Sequence, residues 1–529
     1  MPGPDIWKRP WVFPLVLGAC LVGIEIIIDL IALHGGPRGS TWLGAGMSNP
    51  WDTAVYLSRL QQGAEGVFRF KDLFAIEPQQ SAIFAFWSVL GLMARTGIPP
   101  VLLHELTRFA LTILLAFVVY WAARSQTSND RDARFATLLA FLGIGAGWLY
   151  LFLASVTGTP FSHFAPDMEF EFALGPTLFA AGVHIILSVA LLIHGLRHAW
   201  KAFHEDLTRS AWIAGACFAA LMALHPYFIP LIAVYFVLCL LFHVGRIPWQ
   251  RSAYLLLPFA LSVIPAVLIF LPLTTDQVFR TVNIQANLNP LQPLTAWLAT
   301  LLPFFCAITW RIRRKRHLTE REQWLVIWII SAIICILLPF PWPKRFTEGL
   351  GVALVFLTLP AWFAVRDNLH GKNFKTMFVG WICLVLAGLT PIAMLHADIR
   401  VLLASDSAHK LYATPGHTDA WDWLREHRPA DCVVISDDPW VNIWTPAMTG
   451  CTAYIGHTIE TPDYEKKYAV WSKLFSADDA QTIETILSQS HATDLLLTAS
   501  DAQTRVPKLL SDSWHVAYVS SDMVVLERD

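Results

Sequence analysis

The chain has 529 residues, 55% of them hydrophobic and only 15% charged, with a mean hydropathy of +0.49. Soluble domains carry about 25% charged residues, so an ordinary water-soluble globular protein is excluded and most of the chain must face lipid or other apolar helices. The net charge of -2 conceals an asymmetry: from Arg400 onward 19 acids stand against 10 bases, which marks a soluble tail. No basic stripe interleaves with aromatics there, so nucleic acid is not expected as a partner.

The first apolar run, Trp11 to Leu33, follows Lys8 and Arg9 and has no small-x-small cleavage signal after it, so it reads as a retained anchor. Further runs of about the length that crosses a bilayer occupy 104–123, 135–156, 176–196, 211–225, 227–244, 253–273, 294–310, 324–340, 350–365 and 376–396. Ser81 to Ile98 is also apolar, but counting it as a span breaks the charge pattern. With about eleven spans the clusters Lys8/Arg9, Arg124/Arg131/Arg134, Arg197/Lys201/Arg209, Arg246/Arg251, Arg311 to Arg316 and Arg366/Lys372/Lys375 all fall on one side, the cytoplasmic one. Residues 81–98 then form a helix that lies at the membrane interface or dips into the membrane. The N-terminus is expected in the cytoplasm of a plasma (inner) membrane protein. The loops 34–103, 157–175, 274–293 and 339–349 lie outside, with the tail.

The expected architecture is therefore mainly α: a polytopic helical bundle over 1–399, followed by an extracytoplasmic α/β domain over 400–529. In that tail Cys432 to Ser436, Asp494 to Thr498, Val516 to Val519 and Met523 to Leu526 read as strands. Thr418 to His427, Asp463 to Phe475, Ala477 to Gln489 and Ala502 to Leu510 read as helices. The alternation predicts a small, mainly parallel sheet. No G-x-G-x-x-G turn is present, so no dinucleotide is implied. Six of eight cysteines lie in apolar runs, and none has C-x-x-C spacing. Cys432 and Cys451, in the tail, are either a disulfide or two buried strand cysteines.

Asp52 is the first candidate for chemistry. Asn49-Pro50-Trp51-Asp52 fixes a turn before an amphipathic helix, Thr53 to Gln62, that presents Val55, Leu57 and Leu60 to apolar surroundings. The carboxylate either caps that helix or, at the water–membrane boundary, serves as a general base. Asp167, Glu169 and Glu171 alternate in the second outer loop; they are either a solvated loop, an acceptor-orienting pair, or oxygen ligands for Mg²⁺ or Mn²⁺. Lys344 and Arg345 are outward-facing cations, against the inside-positive trend, suited to a lipid phosphate or to snorkelling. His225, in His225-Pro226-Tyr227, either caps a helix or meets substrate. Glu25 and Asp29 share one face of the first span. In the tail, Gly456-His457-Thr458-Ile459-Glu460-Thr461 offers His457 and Glu460 to a cleft, with Thr461-Pro462 read as the N-cap and first residue of the next helix.

This layout resembles the GT-C glycosyltransferases, similar to protein mannosyltransferases and aminoarabinose transferases. The carriers of the resemblance are Asp52-Thr53-Ala54-Val55-Tyr56-Leu57-Ser58-Arg59-Leu60-Gln61-Gln62-Gly63 as the first-loop pattern, Ser81 to Gly97 as a juxtamembrane helix, and Arg108 opening the next span. A common version of the motif has two adjacent acids, whereas here Pro50-Trp51 precedes a single Asp52. The resemblance implies a polyprenyl-phosphate-linked sugar as donor, an acceptor of unstated identity, a membrane lipid environment, Asp52 as base and Arg345 with Lys344 at the carrier phosphate. Some members hold a metal in the second loop and others need none. A transporter or lipid-handling protein, or a non-catalytic envelope assembly protein, are the alternatives.

Overall fold

The computed structural model describes residues 9–44, 50–143, 145–158, 165–168, 172–175, 182–287, 291–340, 342–369, 374–404, 408–429, 431–509 and 513–529. Eight helices among them are long and apolar enough to cross a bilayer: Val12–Gly35, Pro100–Gln126, Asp130–Thr157, Val183–His204, Trp249–Leu271, Leu294–Arg313, Pro343–Leu369 and Gly380–Leu403. Three further expected spans are helices of 17, 16 and 15 residues, Thr208–Leu224, Phe228–His243 and Gln323–Leu337. Val244, Leu268, Ile312 and Leu337 are each at least 70% exposed. Apolar surface on that scale is stable only against lipid, and the chain is an integral membrane protein. The helix expected at the interface is Ala85–Ala94, whose ten residues rise about 15 Å, half the hydrocarbon thickness.

The chain forms two compact units interleaved in sequence. Met1–Ile27, Thr107–Leu268 and Asn287–Asp398 make the first; Ile28–Leu106, Ile269–Ala286 and Ile399–Asp529 make the second. Within the first, buried polar side chains pair across helices and loops. Glu25 accepts a hydrogen bond from Thr112 Oγ1 at 2.8 Å. Arg311 grips both oxygens of Glu322 at 2.7 Å and also donates to the carbonyls of Arg316, His317 and Leu357. This arginine of the expected cytoplasmic cluster thus ties down the loop that follows its own helix.

In the second unit, β1 (Thr41–Trp42) pairs antiparallel with β2 (Tyr412–Ala413), and Tyr412 donates its hydroxyl to the Ala32 carbonyl at 2.6 Å. A five-stranded sheet follows from β3 (Val433–Ser436), β4 (Thr452–Ala453), β5 (Asp494–Thr498), β6 (Trp514–Val519) and β7 (Met523–Arg528), in the order β4-β3-β5-β7-β6. β3 runs parallel to β4 and β5, whereas β7 runs antiparallel to β5 and β6. The sheet is mixed rather than mainly parallel, because only three residues join β6 to β7 and a connection that short makes a hairpin. Helices Pro415–His427, Tyr464–Ser476, Ala480–Gln489 and Ala499–Leu509 match the expected ones to within a few residues. Helix Pro439–Thr449 was not foreseen. Asp438 caps it by accepting from Trp440 N, Pro439 opens it, and Gly450 closes it at φ 79°. Cys432 and Cys451 are disulfide-bonded, tying the foot of β3 to that of β4 across this helix.

Candidate active site

The helix carrying Asp52 begins two residues before its acid: it runs Pro50–Ala64. Proline suits a first helical position because its missing N–H is not needed there. Asp52 therefore lies inside the first turn, where a negative charge meets the positive helix end, and is not the cap. Val55, Leu57 and Leu60 are buried, as expected from their spacing.

Asp52 Oδ1 lies 3.0 Å from His457 Nε2. The histidine side chain is 2% exposed and the aspartate 35%, so a buried ring reaches a carboxylate that remains open to water. Phe74 packs its ring edgewise on His457 at 6.0 Å. Trp51 stacks on Trp440 and Tyr56 on Trp87, at 5.5 and 5.0 Å. Arg59, two turns beyond Asp52, sits 3.6 Å from Glu460 and 4.3 Å above the Phe84 ring. Lys467 pairs with Glu77 at 2.8 Å. Burial and then the nearby Glu460 push the Asp72 carboxyl well above the usual range, against the Phe74 N–H, Arg59 and Lys467. His457, Glu460 and Asp52, which the sequence offered separately, thus lie in one cluster, and Arg59 joins it. The Thr461-Pro462 signal is displaced: the next helix starts at Tyr464 after Asp463, whose φ is 53°. Thr461 instead accepts the Gly456 N–H through its hydroxyl.

The cationic candidates belong to the first unit. Arg345 and Lys344 lie on a short 3-10 turn, Pro343–Thr347. Arg345 Nη1 is 3.5 Å from Glu348 Oε1, which also accepts the Tyr227 hydroxyl at 2.8 Å. The guanidinium stands 5.4 Å from the Tyr227 ring centroid, and the His225 ring lies tilted against those of Tyr227 and His184, with centroids 4.9 and 5.1 Å away. Glu348 was missed by sequence reasoning, although its i,i+3 spacing from Arg345 is an ion-pair signal.

Asp167 is 2% exposed. Its Oδ1 accepts from Thr300 Oγ1 at 2.8 Å, and its Oδ2 from Gly147 N and Thr390 Oγ1 at 2.9 and 3.0 Å. Burial pushes its pKa up against the pull of these three donors. A side chain at Gly145 or Gly147 would place a Cβ about 2 Å from the carboxylate, so the glycines make room for it. These are the bonds of a tether. Glu169 lies outside the described residues. Among the described residues no group of three or more His, Cys, Asp or Glu side chains is placed to hold a metal ion.

No protein-family model and no curated protein matches the chain. Solved structures do. ArnT from Cupriavidus metallidurans bound to undecaprenyl phosphate superposes with a TM-score of 0.52 at 11% identity, over 96% of this chain and 97% of that one. The apo oligosaccharyltransferase of Archaeoglobus fulgidus gives 0.51 at 13% identity, over 94% and 70%. The same archaeal enzyme tethered with an acceptor peptide also gives 0.51 at 13%, over 98% and 74%. The fold is GT-C-like. At these identities the likeness is one of backbone path, and the GT-C-like fold leaves the chemistry to be argued from the site.

Proposed function

We propose that this membrane protein is an inverting glycosyltransferase that moves a sugar from a polyprenyl-phosphate donor to an acceptor on the extracytoplasmic side, its N-terminus in the cytoplasm. The observation that carries this reading is the contact of Asp52 with buried His457, which holds an open carboxylate in place near the start of a helix. In the proposed step Asp52 takes the proton of the acceptor hydroxyl. The acceptor oxygen attacks the anomeric carbon from the face opposite the carrier. The bond from that carbon to the phosphate oxygen breaks, and the carrier phosphate leaves with its electrons. Arg345, with Lys344, neutralises that charge, and such electrostatic stabilisation is usually among the largest catalytic contributions. The Glu348–Tyr227 pair supports the orientation of Arg345. His225 packs against Tyr227. No step is routed through a metal.

The test is reconstituted full-length protein given a panel of radiolabelled undecaprenyl-phosphate sugars in the presence of envelope extract. Asp52→Asn is expected to lower label transfer by about 10²–10⁴-fold, the usual contribution of a general base, at unchanged melting temperature. Transfer at the wild-type rate in Asp52→Asn would refute the assignment.

A further inference from the structure

We infer that His457 is the positioning residue for Asp52, its ring held in one tautomer by the tail so that a single N–H fixes the plane of the catalytic carboxylate. This rests on Asp52 acting as the base. A neutral imidazole has one donor and one acceptor nitrogen, and the surroundings choose which is which. His457 Nδ1 faces two backbone N–H groups, those of Ile459 and Glu460, each at 3.1 Å. A proton on Nδ1 would point at two donors, so Nδ1 keeps its lone pair and the proton sits on Nε2, 3.0 Å from Asp52 Oδ1.

The turn that supplies these N–H groups closes on itself. Thr461 N donates to the His457 carbonyl at 2.9 Å, and Gly456 N donates to Thr461 Oγ1 at 3.3 Å. A side chain at Gly456 would meet the Phe74 ring at 2.8 Å, so glycine lets the loop bearing Phe74 press against the imidazole. The ring is thus fixed from three sides. Asp52, over one-third exposed, needs no buried partner to be stable, since water would satisfy it. Burying a histidine to reach it orients the carboxylate, and its two torsions are settled before substrate arrives. The tail then supplies part of the active centre.

The test uses full-length protein in proteoliposomes and the undecaprenyl-phosphate sugar that the wild type turns over. His457→Ala is expected to lose about 10²-fold in kcat, the cost of a displacement near 1 Å at a reacting group, with KM little changed. His457→Gln, whose amide N–H can stand near the Nε2 position, is expected to recover most of that loss, while the shorter His457→Asn does not. Ala and Gln variants falling equally, or an Ala variant with wild-type kcat, would overturn the proposal. A second arm needs no turnover. Nitrogen-15 spectra of histidine-labelled protein, with the His457 signals assigned by their loss in His457→Gln, should show the Nε2–H tautomer and a shift on Asp52→Asn. An Nδ1–H tautomer overturns the positioning role regardless of rates. Failure of the parent reading shows separately, as undiminished transfer in Asp52→Asn.

Discussion

Helices Pro50–Ala64 and Ala85–Ala94 cross with two glycines face to face, and a methyl group placed between them should disturb both stability and the candidate site. A Cβ built on Gly63 would lie 2.5 Å from Gly91 Cα, and one on Gly91 would lie 2.7 Å from Gly63 Cα. Carbon atoms at rest stand about 3.5–4.0 Å apart, so Gly63→Ala must part the helices by roughly 1 Å or more. Neither glycine has a left-handed backbone, so the substitution tests packing alone. Overpacking of this kind costs about 1–3 kcal/mol, and the Tyr56–Trp87 stack on the same interface would open with it. Gly23 and Gly388 provide the internal control, since nothing lies within 4 Å of a Cβ at either. Alanine there should be neutral or stabilise the helix by up to about 1 kcal/mol. Melting curves in detergent should therefore rank Gly63→Ala and Gly91→Ala below wild type, with Gly23→Ala at or above it. Asp52 lies about three turns from Gly63 on the same helix, so the same variants should lose sugar transfer, by about 10²-fold if the displacement carries through undiminished. A Gly63→Ala protein that melts with Gly23→Ala would refute the packing argument.

The disulfide and the buried ion pair give two further tests. Cys432 and Cys451 are 19 residues apart in sequence, and the closure entropy of such a loop corresponds to about 3 kcal/mol. The double serine variant, or reduction of the wild type, should lower denaturant stability of the tail by about that much; identical transitions would show that the bond constrains nothing. Burial alone would raise the pKa of Glu322, but hydrogen bonds from Arg311 and Thr319 overcome it and hold the carboxyl below the ordinary glutamate range. A depressed carboxylate stabilises above its unfolded pKa, near 4.3, and that contribution fades as pH falls through the lower folded value. Arg311→Met should cost about 3–5 kcal/mol at neutral pH, because it strands a buried charge, and its deficit should narrow in acid. A deficit independent of pH would sink the linkage.

The membrane helices were legible because bilayer thickness sets their length and charge sets their order, and both act locally along the chain. The short helix Ala85–Ala94 was legible because counting its segment as a twelfth span breaks the expected charge pattern. In the tail, runs such as Val433-Val434-Ile435 and Val524-Val525-Leu526 are rich in β-branched residues and bounded by turn residues, which marks strands well. Their pairing partners are not local. The antiparallel β5–β7 pairing follows from the short β6–β7 hairpin and from which edge of β5 was left open, and neither is written in β5 itself. Helix Pro439–Thr449 was hidden by Pro446 within it, a residue that usually ends a helix. Its Asp438-Pro439 opening was the available signal.

The site divides along the same line between local and distant information. Asp52 was visible because an acid following an apolar span needs an explanation. Its best local explanation, capping the next helix, fails only because that helix begins at Pro50. What distinguishes Asp52 from any first-turn acid is His457, 405 positions away, and no spacing rule spans that distance. The tail loop Gly456 to Thr461 looked like the start of a helix when read along the chain. In three dimensions its backbone N–H groups serve an imidazole, and its glycine yields to Phe74. A short motif of this kind bonds to itself on one side and to a remote carboxylate on the other. Its sequence therefore reports only the first half, and Asp52 reports only that a partner is needed. The two become one site when Ile28–Leu106 and Ile399–Asp529 pack as parts of a single compact unit. For a base proposed to act at the mouth of a membrane bundle, this means that the geometry of Asp52 depends on the folding of the C-terminal domain, so damage to the sheet or its disulfide should register in transfer before it reaches the membrane helices.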